Sequence, residues 1–384
     1  MNLRHIRALA LKESREILRD RIYLALAFLV PVLMMVVLGH GLVLEVRHVP
    51  MAVWNQDKGP LSRDFVDRFR LSEYFDYRGE LTGDQAVEQA LKRGDVRFVL
   101  IVPPHFSERL SRGLTAPVQT LIDGQFTYHA RVASGYVQAI TARFNQDRIQ
   151  DWLVRREGLP PQRVQQQLSP VKLEVRYLYN QALKSEWSIA PGLIMLIMLM
   201  APALLTALGV VREKESGSIF NFYASNVRRV DFLIGKLLPY VAISAINLLV
   251  LTAMALWVYG APFKGSASVY AVASLLYIFA AGGIGLLVSV LVRSQAAAAL
   301  ITMLGTMIPG FMFSGLMMPI SAMSPEAQRE AHLFPAMHDL EVVWGVFLKG
   351  QGWDFLWPQV ALIGLYAVVV LTLAWVLFHK RVKR

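Results

Sequence analysis

The chain has no cysteine, which excludes disulfides and thiolate metal sites and leaves the redox compartment open. It also lacks the motifs of self-sufficient chemistry. No GxxxxGK[ST] loop occurs, and Gly235-Lys236 has neither the upstream glycine spacing nor a following hydroxyl. The chain therefore carries no P-loop ATPase of its own. GxSxG, HExxH and paired Cys/His sets are missing too. The eight histidines are scattered, and His332 with His338 has neither metal spacing nor a third partner, so ordinary loop histidines are expected.

Acidic residues are missing from a second place. Six long apolar runs, Ile22–Leu44, Trp187–Val211, Phe232–Tyr259, Val269–Val292, Ala296–Pro319 and Trp357–Phe378, hold no Asp or Glu in their interiors. Each is long enough to cross about 30 Å of hydrocarbon at about 1.5 Å per residue. Ion-coupled transporters usually place titratable carboxylates or broken helices near the bilayer midplane. Their absence argues against a self-sufficient proton antiporter.

Charge is present but confined. The net charge of +11 could serve nucleic acid or anionic lipid. The basic residues crowd the ends of the apolar runs and form no aromatic-interleaved patch, so nucleic-acid binding is discounted. With six spans both termini fall in the cytoplasm. The inside segments then carry Arg212, Lys214, Arg228, Arg229, Arg293, Lys380, Arg381, Lys383 and Arg384, and the outside ones only Lys264, Arg329 and Lys349. That is the positive-inside bias.

Residues 1–21 read as a cytoplasmic amphipathic helix. Leu3, Ile6, Ala10 and Ile17 share one face, and Arg4, Lys12, Arg15 and Arg19 another. Such a helix can lie among lipid headgroups or pack on protein. Residues 22–44 are expected to remain as the first span, because the run is too long for a signal h-region and GHGLVLEV offers no cleavage site. From 45 to 186 the composition turns soluble. Val49–Asn55, Arg97–Val102, Val118–Asp123 and Lys172–Tyr179 read as strands; Leu61–Phe69, Gln85–Arg93, Phe106–Arg112 and about Thr127 to Arg155 read as helices. One α/β domain on the extracytoplasmic side is expected. Between the last two spans, near 320–348, Leu333, Phe334, Met337, Leu340, Val343, Trp344 and Phe347 recur at helical spacing, which suits short helices dipping into the outer leaflet.

The stretch Val210–Phe222, VVREKESGSIFNF, is a dense knot of charge between two spans, read as a loop followed by a short surface helix with one apolar side. It is either a solvated loop or the place where external force enters. Pro309-Gly310 and Ser314-Gly315 predict a kink or close helix approach in the fifth span. Asn247, near the centre of the third span, reads first as an interhelical hydrogen bond and second as a substrate contact. Met195, Met198, Met200, Met303, Met307, Met312, Phe311 and Phe313 suit either ordinary packing or a pocket for varied apolar molecules.

On VVREKESGSIF with IGKLLPY, VRSQAAAALITMLGTMIPGFMFSGLMMPISAMSP, and HLFPAMHDLEVVWGVFLKGQGWDFLWP, the chain resembles the membrane subunits of type 2 ABC transporters, the ABC-2 permease family, in the bacterial drug-exporter branch with a large external domain. The resemblance covers nearly the whole length. It implies that Arg212, Glu213, Lys214, Glu215, Gly217, Ser218 and Phe220 belong to the coupling helix that docks into an ATPase. Ser218 stands where many relatives have threonine. It implies that the amphipathic N-terminal helix is a connecting helix and a second ATPase contact. Ser314, Gly315 and Pro319, with Pro309 and Gly310, match the run leading into external re-entrant helices. Asn247, Met303, Met307 and Phe311 become candidates for the substrate path.

The expected fold is an α-helical integral membrane protein with six transmembrane helices and an α/β extracytoplasmic domain between helices 1 and 2; residues 187–384 hold the other five spans. The expected role is the permease subunit of an ATP-driven exporter of drug-like or lipid-like molecules in a bacterial inner membrane. No cofactor is expected in this chain; ATP and Mg would be bound by the partner ATPase. A second permease copy or close homologue, and in some relatives a periplasmic adaptor, are the further partners the resemblance implies. A membrane-anchored receptor and an ion-coupled efflux protein are the alternatives from other classes.

Overall fold

The computed structural model describes residues 2–42, 46, 48–125, 127–157, 178–181 and 184–379. The chain divides into two compact units, Leu44–Val175 and the remainder, Met1–Val43 with Arg176–Arg384.

The larger unit is helical. After α1 (Leu3–Arg19) come, among the described residues, six helices long and apolar enough to cross a membrane: α2 (Arg21–Gly41), α7 (Ser185–Glu215), α9 (Arg229–Trp257), α10 (Ala267–Leu291), α11 (Gln295–Phe313) and α14 (Trp353–Leu377). Shorter helices lie between them: α8 (Ile219–Ala224), α12 (Pro325–Leu333) and α13 (Pro335–Trp344), the last running into a π turn at Gly345–Lys349. The protein is a multi-pass membrane protein. The fifth span ends at Phe313, short of the expected Pro319, because Gly315 adopts φ +94° and turns the backbone out of the helix.

α7 is the axis of this unit. It is apolar on all sides and almost wholly buried, packed by α2, α9, α10, α11 and α13. Small residues let the backbones approach. A Cβ on Gly285 of α10 would lie within 3.0 Å of the Ala203 Cα in α7, so only glycine fits there. By contrast α2, α11 and α14 turn most of their apolar surface outward, with Leu300, Leu304, Ile308, Leu365 and Val368 at least half exposed. In a multi-pass protein such faces meet lipid or another chain.

The smaller unit is an α/β layer. Four strands, β1 (Val49–Asn55), β2 (Phe75–Glu80), β3 (Phe98–Val102) and β4 (Gln119–Ile122), run in the order β2-β1-β3-β4. β1 pairs in parallel with β2 and β3, while β4 is antiparallel to β3. β3, FVLIV, is buried on both faces, as a central strand must be. One face packs Phe65 and Phe69 of α3 (Pro60–Arg70), Phe106 of α5 (Phe106–Ser111) and Phe144 of α6 (Thr127–Glu157); the other packs Val87 of α4 (Asp84–Arg93). The expected helices and three of the expected strands are present within two residues. β2 was not anticipated: the apolar alternation of FDYRGE is only two residues long, Phe75 and Tyr77, and only Phe75 is fully buried. The expected strand Lys172–Tyr179 lies, but for its last two residues, outside the described residues.

Candidate coupling site

The charged knot is not a loop. Arg212–Glu215 form the last turn of α7, since Arg, Glu and Lys are good helix formers and nothing breaks the ladder before Ser216-Gly217. Gly217, at φ +75°, ends the helix, with the Ser216 amide donating to the Arg212 carbonyl at 3.0 Å and the Gly217 amide to Lys214 at 3.3 Å. α8 follows at once, burying Ile219 and Phe222 and exposing 56% of Phe220. Phe222 stacks on Phe232 at 4.1 Å between centroids, and Phe232 on Phe378 at 5.5 Å, which fixes α8 to the start of α9 and the end of α14.

Each charge of the knot has a partner within the chain. Arg212 pairs with Asp20 at 2.8 Å, at the corner between α1 and α2. The Tyr23 backbone N–H and, against slight burial, the Arg212 guanidinium hold the Asp20 carboxyl below its ordinary range. Glu213 is buried and accepts from Lys12 at 2.8 Å and Lys236 at 2.9 Å. Lys214 donates to the Ser289 carbonyl and, more loosely, to those of Val290 and Val292, capping the C-terminus of α10. Glu215 accepts from the Gln295 backbone N–H at 2.7 Å and from its side-chain amide, capping the N-terminus of α11. The knot ties the end of α7 to five other helices, while the Arg212 and Glu215 side chains stay exposed. Beside it Ser216, Phe220 and Asn221 are exposed and Ser218 is half-buried.

Beneath the knot lies a buried ion cluster. Lys236 of α9 pairs with Glu13 of α1 as well as with Glu213, and the Tyr240 hydroxyl donates to Glu13. Burial pulls the Lys12 ammonium down, but the hydrogen bond and charge of Glu213 carry it above the ordinary lysine value. Glu13, Glu16 and Glu213 bring carboxylate oxygens within 4.8 Å of one another, yet Lys12 and Lys236 already supply the compensating charge. A cleft of about 500 Å³ opens over this cluster between α1, α7 and α8.

The apolar side of α1 is taken up by the protein itself: Ile6, Glu13 and Ile17 are buried, and a Cβ on Gly235 of α9 would stand 2.8 Å from that of Leu9. Leu3 alone of the expected apolar face is well exposed, at 78%. That face packs on the third span, the protein-packing alternative of the two that the sequence left open.

At the other end of α11, Pro309 lies within the helix and Gly310 faces Leu196 of α7, where a Cβ would stand 2.8 Å from the Leu196 Cδ1. Ser314 ends α11 and bonds the Leu316 amide; Gly315 makes the turn; Pro319 precedes a short 3-10 turn, Ile320–Ala322, and then α12 and α13. His338 is not a loop residue. It is buried on α13, with its ring nitrogens 2.6 Å from the Gln359 Oε1 and 3.0 Å from the His332 carbonyl, which leaves neither for a metal.

Of the candidate path residues, Met303, Met307 and Phe311 share one face of α11 at i, i+4 and i+8, and Asn247 lies on α9. Asn247 is buried and donates to the Ala27 carbonyl at 2.6 Å. Met303 is 40% exposed on α11, and Met307 and Phe311 are half-buried there. Sequence reasoning missed Glu13, Lys236, Tyr240 and the buried Asp339 of α13. For Glu13 a signal existed, because it falls on the apolar face of α1 between Ala10 and Ile17.

The family model "ABC-2 family transporter protein" matches residues 21–376. The chain is 26% identical over 99% of its length to "Probable multidrug ABC transporter permease YbhS" of Escherichia coli (strain K12), of which it covers 98%. It is 26% identical over 97% of both chains to "Probable multidrug ABC transporter permease YbhR" of the same strain. "Inner membrane transport permease YhhJ", also of that strain, is 24% identical over 99% of this chain and 98% of its own length. The chain belongs to the ABC-2 family of transporter proteins.

Proposed function

We propose that this permease is the transmembrane half of an ATP-driven exporter, powered by a separate ATPase that presses on α8 and on the adjoining ends of α1 and α7. The observation that carries the reading is a pairing of presence and absence: a helix-end assembly tied to five helices, in a chain with no nucleotide-binding motif of its own. ATP and Mg would sit in the ATPase. Two copies of the chain, or one with a close homologue, would enclose the path, consistent with the outward apolar faces of α2, α11 and α14. Closure of an ATPase dimer would rock these bundles against each other.

The basic residues at the α7, α9 and α11 ends support a cytoplasmic side for that assembly and for both termini, in a bacterial inner membrane. The α/β unit then lies outside, where a periplasmic adaptor would reach it. The names of the relatives point to drug-like substrates, and lipid-like ones share the same apolar chemistry. They do not favour the receptor or ion-coupled readings.

The test is purification of the full chain from its native membrane, followed by reconstitution. An ATPase subunit should accompany it, and a lipophilic dye should accumulate in inverted vesicles only with ATP. A chain that purifies alone and drives the dye uphill on a proton gradient would refute the assignment.

A further inference from the structure

The buried side of the ion cluster belongs to Glu13, Lys236 and Tyr240. Lys236 and Tyr240 stand one turn apart on α9 and share a face. The Lys236 side chain is 2% exposed and lies between the carboxylates of Glu13 and Glu213. Lys12 closes the cluster from the solvent side. Lys236 is held out of water by two carboxylates, and Lys12 is shared between Glu213 and the half-exposed Glu16, so each ammonium keeps one carboxylate when Glu213 is neutralised. The same three elements are pinned at two further levels. The Asn2 amide donates to the Asp231 Oδ1 at 3.1 Å at one end of α1, and Asp20 holds Arg212 at the other.

We infer that α1, the end of the second span and the start of the third form one rigid lever, and that Glu13, Lys236 and Glu213 are positioning residues for energy coupling and not contacts with the ATPase. The inference rests on the exporter reading and specifies how its force is carried. The buried face of α8 is fixed to α9 through Phe222 and Phe232, so a thrust on its exposed face enters α9 directly. The ion cluster then passes it to α1 and α7 together. A joint of this kind transmits a push only if it stays closed through the whole cycle.

Two measurements on the full chain, purified with its ATPase and reconstituted, test this. Glu213→Gln keeps the Lys236–Glu13 and Lys12–Glu16 pairs and therefore the fold. The ATPase should co-purify in the wild-type ratio, while dye transported per ATP hydrolysed falls roughly tenfold. Loss of the ATPase from the preparation would make Glu213 a docking contact and overturn the inference. Because the chain is cysteine-free, Leu9→Cys with Gly235→Cys gives a single thiol pair across α1 and α9, which must part by only about an ångström to reach disulfide geometry. Oxidation should be complete at the same rate with and without ATP, and the oxidised form should export as the reduced one does. Nucleotide-dependent oxidation, or export abolished by oxidation and restored by reductant, would show that the joint opens. If wild type shows no ATP-driven transport, the exporter reading fails, whereas the oxidation rate still reports whether the joint is closed.

Discussion

The side-chain amide of Asn247 in the third span donates to the Ala27 carbonyl of the first, inside the π turn at Ala25–Leu29. A π turn breaks the regular i→i−4 ladder, and a carbonyl there in hydrocarbon requires a donor from elsewhere. The amide supplies one, which makes Asn247 an interhelical tie. Asn247→Leu should destabilise the detergent-purified protein by about 1 kcal/mol, read as a fall in unfolding temperature. Dye concentration dependence of export should stay at the wild-type value; a shift in it without loss of stability would return Asn247 to the substrate path.

Glu213 and Glu215 stand two residues apart, but reversing them should have different outcomes. Glu213→Lys brings a third ammonium beside Lys12 and Lys236 in a buried site, where an unpaired charge costs about 3–5 kcal/mol. Its level in the membrane should drop sharply. Glu215→Lys stays in water and loses only the cap on α11. It should accumulate normally. Quantitative blotting of membrane fractions decides this, and equal levels for the two variants would contradict the buried placement of Glu213.

Asp339 of α13 is 2% exposed, and its Oδ1 has no hydrogen-bond partner among the described residues. Burial raises its carboxyl from 3.8 to about 8. The sign follows from linkage. Below pH 3.8 the acid is protonated in both folded and unfolded chains. As pH rises toward 8 the unfolded chain releases this proton and the folded one retains it, so stability falls by up to about 1.4 kcal/mol per pH unit across that window. Asp339→Asn should flatten the fall and raise the unfolding temperature at pH 7.5. Parallel unfolding-temperature curves for the two proteins between pH 5 and 8.5 would rule the placement out.

What could be read without coordinates follows from how far each signal extends along the chain. The six spans are long apolar runs, and β1, β3 and β4 are short ones bounded by Asp, Gly and Pro, so their extents came within a few residues. β2 escaped because its pairing comes from β1 and not from its own side chains. The ion cluster escaped for a related reason. Glu13, Glu213 and Lys236 are single charges near span ends, where a snorkelling side chain looks the same as a buried one. Only the packing of α1 on α9 separates the two. The family resemblance singled out the Arg212–Glu215 turn for the coupling segment, but it could not say that these charges face the protein's own helix ends.

Phe220 carries the last consequence of that arrangement. Its neighbour Phe222 is stacked into the bundle, but Phe220 is 56% exposed on a six-residue helix with no charge of its own. If the knot's charges are occupied internally, apolar contact through this ring is what α8 has to offer a partner, and aromatic anchors dominate interfaces of that kind. Phe220→Ala removes no packing from the core, so unfolding temperature should stay within the small range of surface substitutions. Association with the ATPase should weaken by roughly tenfold or more, read as subunit ratio after size-exclusion chromatography at sub-micromolar concentration. Raising the salt concentration should not reproduce the effect, since burial of an apolar ring is not screened. An undisturbed subunit ratio in Phe220→Ala, with dissociation in high salt instead, would place the contact on exposed charges and away from α8.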